Sequence, residues 1–159
     1  MRATIAIEIE APPELVFALA RDVLRWPSLL PHYVGVAAES RHGSRLVARF
    51  IARRQLIPAL GIGLPVAWRA RTWSEPAERR IRFVHLGGAT AGMEVTWRIE
   101  PSAFGSDVSI EHVFEPRIAV WAPLLDRLFV RPIAGRTLAT FKAIAEALAA
   151  SGQTAEVAG

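Results

Sequence analysis

Residues 131–150, RPIAGRTLATFKAIAEALAA, read as one long amphipathic helix, and it comes after every strand of the chain. Ile133, Thr137, Phe141, Ile144 and Leu148 recur at spacings of 4, 4, 3 and 4, so they share one face. Arg131, Arg136, Lys142 and Glu146 fall on the other. Such a stripe has to be buried, and the large partner available is the sheet that precedes it. A sheet that curves around a helix of this length encloses a space, and that space is where function is to be sought.

The rest of the chain supplies the sheet. Ile5, Ile7 and Ile9 alternate with Ala6, Glu8 and Glu10 in a half-buried strand. Ala11-Pro12-Pro13-Glu14 starts a helix, because proline is tolerated in the first turn, and Leu15, Val16, Leu19 and Ala20 form its buried side. A second short helix follows through Leu24, Trp26 and Leu29 and ends at Pro31. Six strands are then expected over about 33–41, 44–54, 65–74, 79–86, 93–100 and 107–114, separated by turn-forming residues. The fold class is α+β. Residues 1–150 are expected to form one domain, with 151–159 as a flexible tail.

Composition narrows the chemistry. With 159 residues and 52% hydrophobic content, the chain has enough apolar surface for a core and the lining of a cavity. It has no cysteine, which excludes disulfides and thiolate chemistry. Nineteen basic residues, eighteen of them arginine, oppose fifteen acidic ones. The arginines are scattered along nearly every strand rather than clustered with aromatics, which disfavours nucleic acid as a partner. No apolar run reaches the ~20 residues that span a bilayer, and the N-terminus has no signal-peptide core. Cytoplasmic location is the expectation. No GxSxG elbow, P-loop, HExxH spacing or inward pair of carboxylates is present, and no metal or cofactor is expected.

Strand alternation predicts which side chains face the helix. Leu46, Ala48, Phe50 and Ala52 point inward, as do Val66, Trp68, Ala70 and Thr72, then Ile81, Phe83 and His85. Met93, Val95, Trp97 and Ile99 follow, then Val108, Ile110, His112 and Phe114. His85 and His112 are the sharpest candidates for chemistry, since each stands on an otherwise apolar inward run. A neutral imidazole there positions a carbonyl or acts as a general base; equally, it serves as a core histidine bonded to a neighbour. Trp26, Trp68 and Trp97 offer flat surfaces for an aromatic ligand, or plain core packing. Tyr33, with His32 beside it, reads either as a donor at the cavity rim or as part of a solvated pair.

Three segments carry a family resemblance: APPELVFALARDVLRWPSLLPHY (11–33), GGATAGMEVTWRIEP (87–101) and RPIAGRTLATFKAIAEAL (131–148). They resemble the START-like (SRPBCC) superfamily of helix-grip proteins, in particular its polyketide cyclase/dehydrase branch, and coenzyme Q-binding START-like proteins open similarly. The resemblance covers residues 3–150. It implies a seven-stranded antiparallel sheet wrapped around the long C-terminal helix, with two short helices after the first strand and a hydrophobic cavity between sheet and helix. Trp26, Tyr33, Phe50, Trp68, Phe83, Met93, Val95, Trp97, Ile110, Phe114, Thr137 and Phe141 are the expected lining, with His85 and His112 as catalytic candidates. Cyclase-like members commonly place an inward arginine on an early strand. Alternation puts Arg49 outward here, so that role is not carried over.

The implied function is binding of a hydrophobic or aromatic small molecule, with cyclisation or dehydration of a poly-β-ketone as the activity. The alternative is a non-catalytic carrier of a lipid or a coenzyme Q-like quinone; a third reading is an interaction protein of the ribosome-associated kind. Two apolar stretches, 56–64 and 118–130, are flanked by Arg53, Arg54, Arg127 and Arg131. They suit a lid, a peripheral membrane contact or a dimer contact, and monomer and homodimer both remain open.

Overall fold

The computed structural model describes residues 1–116 and 120–152. Residues 117–119, at the head of the second apolar stretch, and 153–159, most of the expected tail, lie outside the described residues.

Chain order is β1 (Arg2–Ile9), α1 (Pro13–Arg21), a 3₁₀ turn at Val23–Arg25, α2 (Trp26–Leu29), then six strands. These are β2 (Tyr33–His42), β3 (Arg45–Ile57), β4 (Ile62–Glu75), β5 (Arg80–His85), β6 (Glu94–Ser102) and β7 (Gly105–Val113). Helical structure resumes with α3 (Trp121–Leu125), passes through a π-helical segment (Asp126–Val130) and continues as α4 (Arg131–Ser151). Gly152, left-handed at φ 75°, caps its end.

All seven strands join one antiparallel sheet in the order β1-β7-β6-β5-β4-β3-β2. Every hairpin joins sequence neighbours, and the sheet is completed when β1 pairs with β7 from Arg2↔Val113 to Ile9↔Ser106. The sheet curves about α4, which is the helix-grip arrangement. Alternation places the inner face as expected: Leu46, Ala48, Phe50 and Ala52 are all buried, as are Val95, Trp97 and Ile99. The outer face carries the arginines, several of them in ion pairs such as Arg69–Glu39 and Arg98–Glu111.

Two expectations shift. The strands run further into their hairpins than the turn residues suggested. β3 and β4 pair as far as Ile57↔Ile62, so most of 56–64 is the tip of a long ribbon rather than a free loop. β6 and β7 likewise meet in a tight turn at Ala103-Phe104, with Pro101 inside the ladder opposite Ser106. On α4, the buried line runs through Ala134, Thr137, Leu138, Phe141 and Ala145, with Ile133, Ile144 and Leu148 half-buried along its edge. Alanines let the helix axis approach its partners closely, so the smallest side chains mark the contact and the larger ones flank it.

Gly105 shows how closely the layers approach. Its φ is 148°, and a Cβ there would strike the carbonyl oxygen of Ile9 and come within 2.7 Å of the Ala11 nitrogen. Next to it, the buried Ser106 hydroxyl donates to the Ala11 carbonyl at 2.6 Å. Together they fix the turn from β1 into α1 against the β6–β7 hairpin.

Candidate functional site

Between the inner face of the sheet and the helices lies a cavity of about 250 Å³. That is the room of about eight water molecules, just below the ~300–1,000 Å³ of typical ligand pockets. Its wall is aromatic. The rings of Phe50 and Trp68 stack at 5.4 Å and 6°, and the His85 imidazole continues the stack over Trp68 at 6.0 Å and 12°. β-Sheet register explains the column: Phe50 lies opposite Trp68, and His85 opposite Ala70, two residues along from Trp68 on the same face. Trp26 enters from α2 and meets Trp97 at 5.6 Å and Phe83 at 5.8 Å. Its indole N–H is already committed to the Ala20 carbonyl at 3.0 Å, so Trp26 offers a ligand only its face.

Trp26, Tyr33, Phe50, Trp68, Phe83, Met93, Val95, Trp97, Ile110 and Thr137 all border this cavity, together with His85 and His112. Phe114 and Phe141 do not. Phe141 is buried behind the wall, its ring edge-on to Trp97 at 5.8 Å and Trp26 at 6.1 Å. Phe114 lies just beyond the end of β7, where its backbone exchanges hydrogen bonds with Met1. Strand parity puts a residue on the inner face but does not say how far along the cavity it sits.

The polar groups in and behind the cavity wall fall into two sets. On one side, His85 Nδ1 lies 2.7 Å from the Thr90 hydroxyl, in the β5–β6 connection that closes over the cavity edge. His112 is buried with its Nδ1 unpartnered. Both imidazoles are pushed down to about 4, by burial first. Mutual repulsion adds to the shift of His85. At His112 the Asp126 carboxylate opposes the shift and Arg131 reinforces it. Asp126 itself binds Arg131 through Oδ2 at 2.7 Å, while its buried Oδ1 has no partner. Two neutral imidazoles thus border the cavity, His85 tied to Thr90 and His112 with its Nδ1 unpartnered, while the Asp126 Oδ1 is likewise buried without a partner.

On the other side stand His32, Tyr33 and Thr137. Thr137 donates its single hydroxyl hydrogen to the Ile133 carbonyl at 2.8 Å. It therefore accepts from His32 Nε2, 2.9 Å away, which leaves His32 Nδ1 as a buried lone-pair nitrogen with no partner. Burial, and then the nearby Arg136, lower His32 to about 4. The Tyr33 phenol is raised well above its ordinary value by burial, only partly offset by its bond with Thr137, and so stays a neutral donor. The solvated-pair reading of His32 and Tyr33 is thereby corrected, since the residues are only 2% and 6% exposed. The short α2 turns them inward, an effect no local pattern announces.

Sequence reasoning also missed Asp126, Thr90, Leu125 and Phe129. Asp126 stood alone in an apolar stretch, where the π-helical segment sets its orientation. Leu125 and Phe129 stand in the apolar stretch that suited a lid, a membrane contact or a dimer contact, and the alternation that assigned the lining does not extend to it.

Comparison with known proteins agrees with this architecture. Residues 1–151 match the family described as polyketide cyclase / dehydrase and lipid transport. The chain belongs to that family, within the START-like helix-grip superfamily. The granaticin polyketide synthase bifunctional cyclase/dehydratase of Streptomyces violaceoruber is 29% identical over 116 residues, which is 71% of this chain and 34% of that protein. The chain therefore spans about a third of the length of this curated relative. Among solved structures, the Zhui aromatase/cyclase of a Streptomyces species superposes with a TM-score of 0.77 over 93% of this chain and 94% of that one, at 18% identity. The di-domain ARO/CYC BexL from the BE-7585A biosynthetic pathway gives 0.68 at 28% identity, over 89% of this chain and 45% of that one. Among the described residues no helix is long and apolar enough to cross a membrane.

Proposed function

We propose that the cavity holds an aromatic or poly-β-ketone intermediate and promotes its cyclisation and dehydration. The observation that carries this reading is the pair of neutral imidazoles, His85 and His112, on an otherwise aromatic wall. His112 removes a proton from a methylene between two ketones, and the resulting enolate carbon attacks a second carbonyl of the same chain. The imidazolium returns that proton to the new alkoxide. An imidazole then takes the second proton of the attacking carbon, and the hydroxyl leaves as water with the proton the imidazolium gives it, so that a C=C bond forms. One C–C bond forms and one water is lost. Asp126 steadies the transient imidazolium at His112. The aromatic walls hold the chain in one reactive bend, which is itself a large part of the rate.

The test is turnover of a synthetic poly-β-ketone thioester surrogate by wild type, His85→Gln and His112→Gln. Loss of a general base lowers turnover by about 10²–10⁴-fold while affinity for 2-naphthol stays within a few fold. Unchanged turnover in both variants would remove the imidazoles from the chemistry. A second reading, a non-catalytic carrier of a quinone or lipid, draws on the apolar rim at the cavity mouth. It predicts no turnover by wild type, and a prenylated quinone or lipid in the mass spectrum of the purified protein.

A further inference from the structure

Large exposed apolar side chains are distributed very unevenly over this molecule. Of the twelve among the described residues, nine lie in two segments, the β3–β4 tip and the chain from Val120 to Leu128. The tip carries Leu60, 69% exposed, together with Leu56, Ile57, Ile62 and Leu64; the other carries Trp121, 51% exposed. Both segments lead directly into the cavity wall, the first through Val66 and Trp68, the second through Leu125 and Phe129. They are also tied together, since the Arg54 guanidinium donates to the Leu128 carbonyl. Ile62 and Leu64 continue the inward alternation of Val66 and Trp68 past the last core residue. The ligand-facing side of the sheet thus runs on into solvent as a greasy lip.

Charge identifies what that lip meets. Arg53 and Arg127 are exposed beside it, and neither enters an ion pair among the described residues. From Arg53 to Ser74 there is no acidic residue at all, and Asp126 is already bound to Arg131. In a two-fold dimer through this lip, the same patch would face itself and set arginine against arginine. An anionic bilayer satisfies both halves of the surface: apolar side chains enter the acyl boundary while the guanidinium groups meet headgroups.

We infer that the β3–β4 tip and the Val120–Leu128 segment form a peripheral docking surface for anionic membrane, holding the cavity mouth at the lipid boundary. This is independent of whether the cavity is catalytic. It adds a route by which a hydrophobic ligand enters or leaves without crossing water.

Co-flotation with vesicles tests it, using phosphatidylcholine alone and phosphatidylcholine with 30% phosphatidylglycerol, a composition set at roughly that of a strongly anionic leaflet. Wild type is expected to float with the anionic vesicles and to bind neutral ones several-fold more weakly. Leu60→Asp lowers the partition by about tenfold or more, and Arg53→Gln with Arg127→Gln lowers it by roughly fivefold per charge. Both variants keep wild-type melting temperature and 2-naphthol affinity, because the substituted side chains are exposed. Absence of flotation with anionic vesicles overturns the inference, and so does flotation undiminished in Leu60→Asp. A concentration-dependent dimer in light scattering that Leu60→Asp dissolves, without any vesicle binding, also overturns it and assigns the lip to a second copy. Binding to an acidic protein with no binding to vesicles counts against it equally.

Discussion

Acid is expected to unfold this protein through its buried histidines before its carboxylates matter. His32 and His112 are 2% and 7% exposed and are held at about 4, against 6.5 when free. The unfolded chain takes up protons at these residues as pH falls through 6.5, while the folded chain refuses them until near 4. The stability that depends on their staying neutral is therefore complete above about pH 6.5 and is lost progressively down to about pH 4. A separation of about 2.5 pH units corresponds to about 3 kcal/mol per histidine when the window has been crossed, and to about 2 kcal/mol at pH 5. Two such residues remove about 4 kcal/mol between pH 7 and pH 5, a large part of the ~5–15 kcal/mol that holds a domain together. His85 is held at about 4 as well, and its repulsion with His112 steepens the fall. Urea denaturation followed by tryptophan fluorescence at pH 7, 6 and 5 gives the slope directly. Replacing His112 by Gln should flatten it by about one proton. A loss below about 1 kcal/mol between pH 7 and pH 5, or a slope indifferent to both His32→Gln and His112→Gln, would refute the reasoning.

Two further substitutions test particular contacts. Gly105→Ala places a methyl against the Ile9 carbonyl and Ala11 nitrogen in a backbone conformation that L-residues resist, for a cost of about 3 kcal/mol. Calorimetry should show melting lowered by roughly 10 °C, and a change within about 2 °C would mean the hairpin does not lie against β1 as described. Thr137→Val removes the acceptor of His32 Nε2 and strands a buried donor, at about 1–3 kcal/mol in denaturant titration. Thr137→Ser, which keeps the hydroxyl, should recover most of that loss; equal damage by both would assign the effect to packing.

How far the fold could be read from the sequence depended on which forces were local. Strand alternation is a local rule, and it placed Phe50, Trp68, Phe83, Trp97 and both cavity histidines on the inner face correctly. Hairpin ends were harder. Pro101, Ile57, Ile62, Gly63 and Leu64 look like loop material, yet ladder pairing with a neighbouring strand carries them into the sheet. On α4 the spacing finds Thr137 and Phe141 on the buried line and Ile133, Ile144 and Leu148 along its edge, but size patterning does not show that Ala134 and Ala145 occupy the closest approach. His112 stands on a strand and Asp126, whose charge acts on it, in a π-helical segment, and nothing in either stretch signals the other. His32 was set aside for a similar reason: its partner, Thr137, is 105 residues away.

An aromatic-walled cavity that admits a hydrophobic guest is central to this protein, and its five tryptophans report on it from inside and outside. Trp26, Trp68 and Trp97 border the cavity, whereas Trp73 lies against Arg45 and Arg82 and Trp121 is exposed. Titrating 2-naphthol into ¹⁵N-labelled protein should move the indole resonances of Trp26, Trp68 and Trp97 together, with one saturation curve, while those of Trp73 and Trp121 stay in place. Movement confined to Trp121 or Trp73, or no movement at saturating guest, would contradict it.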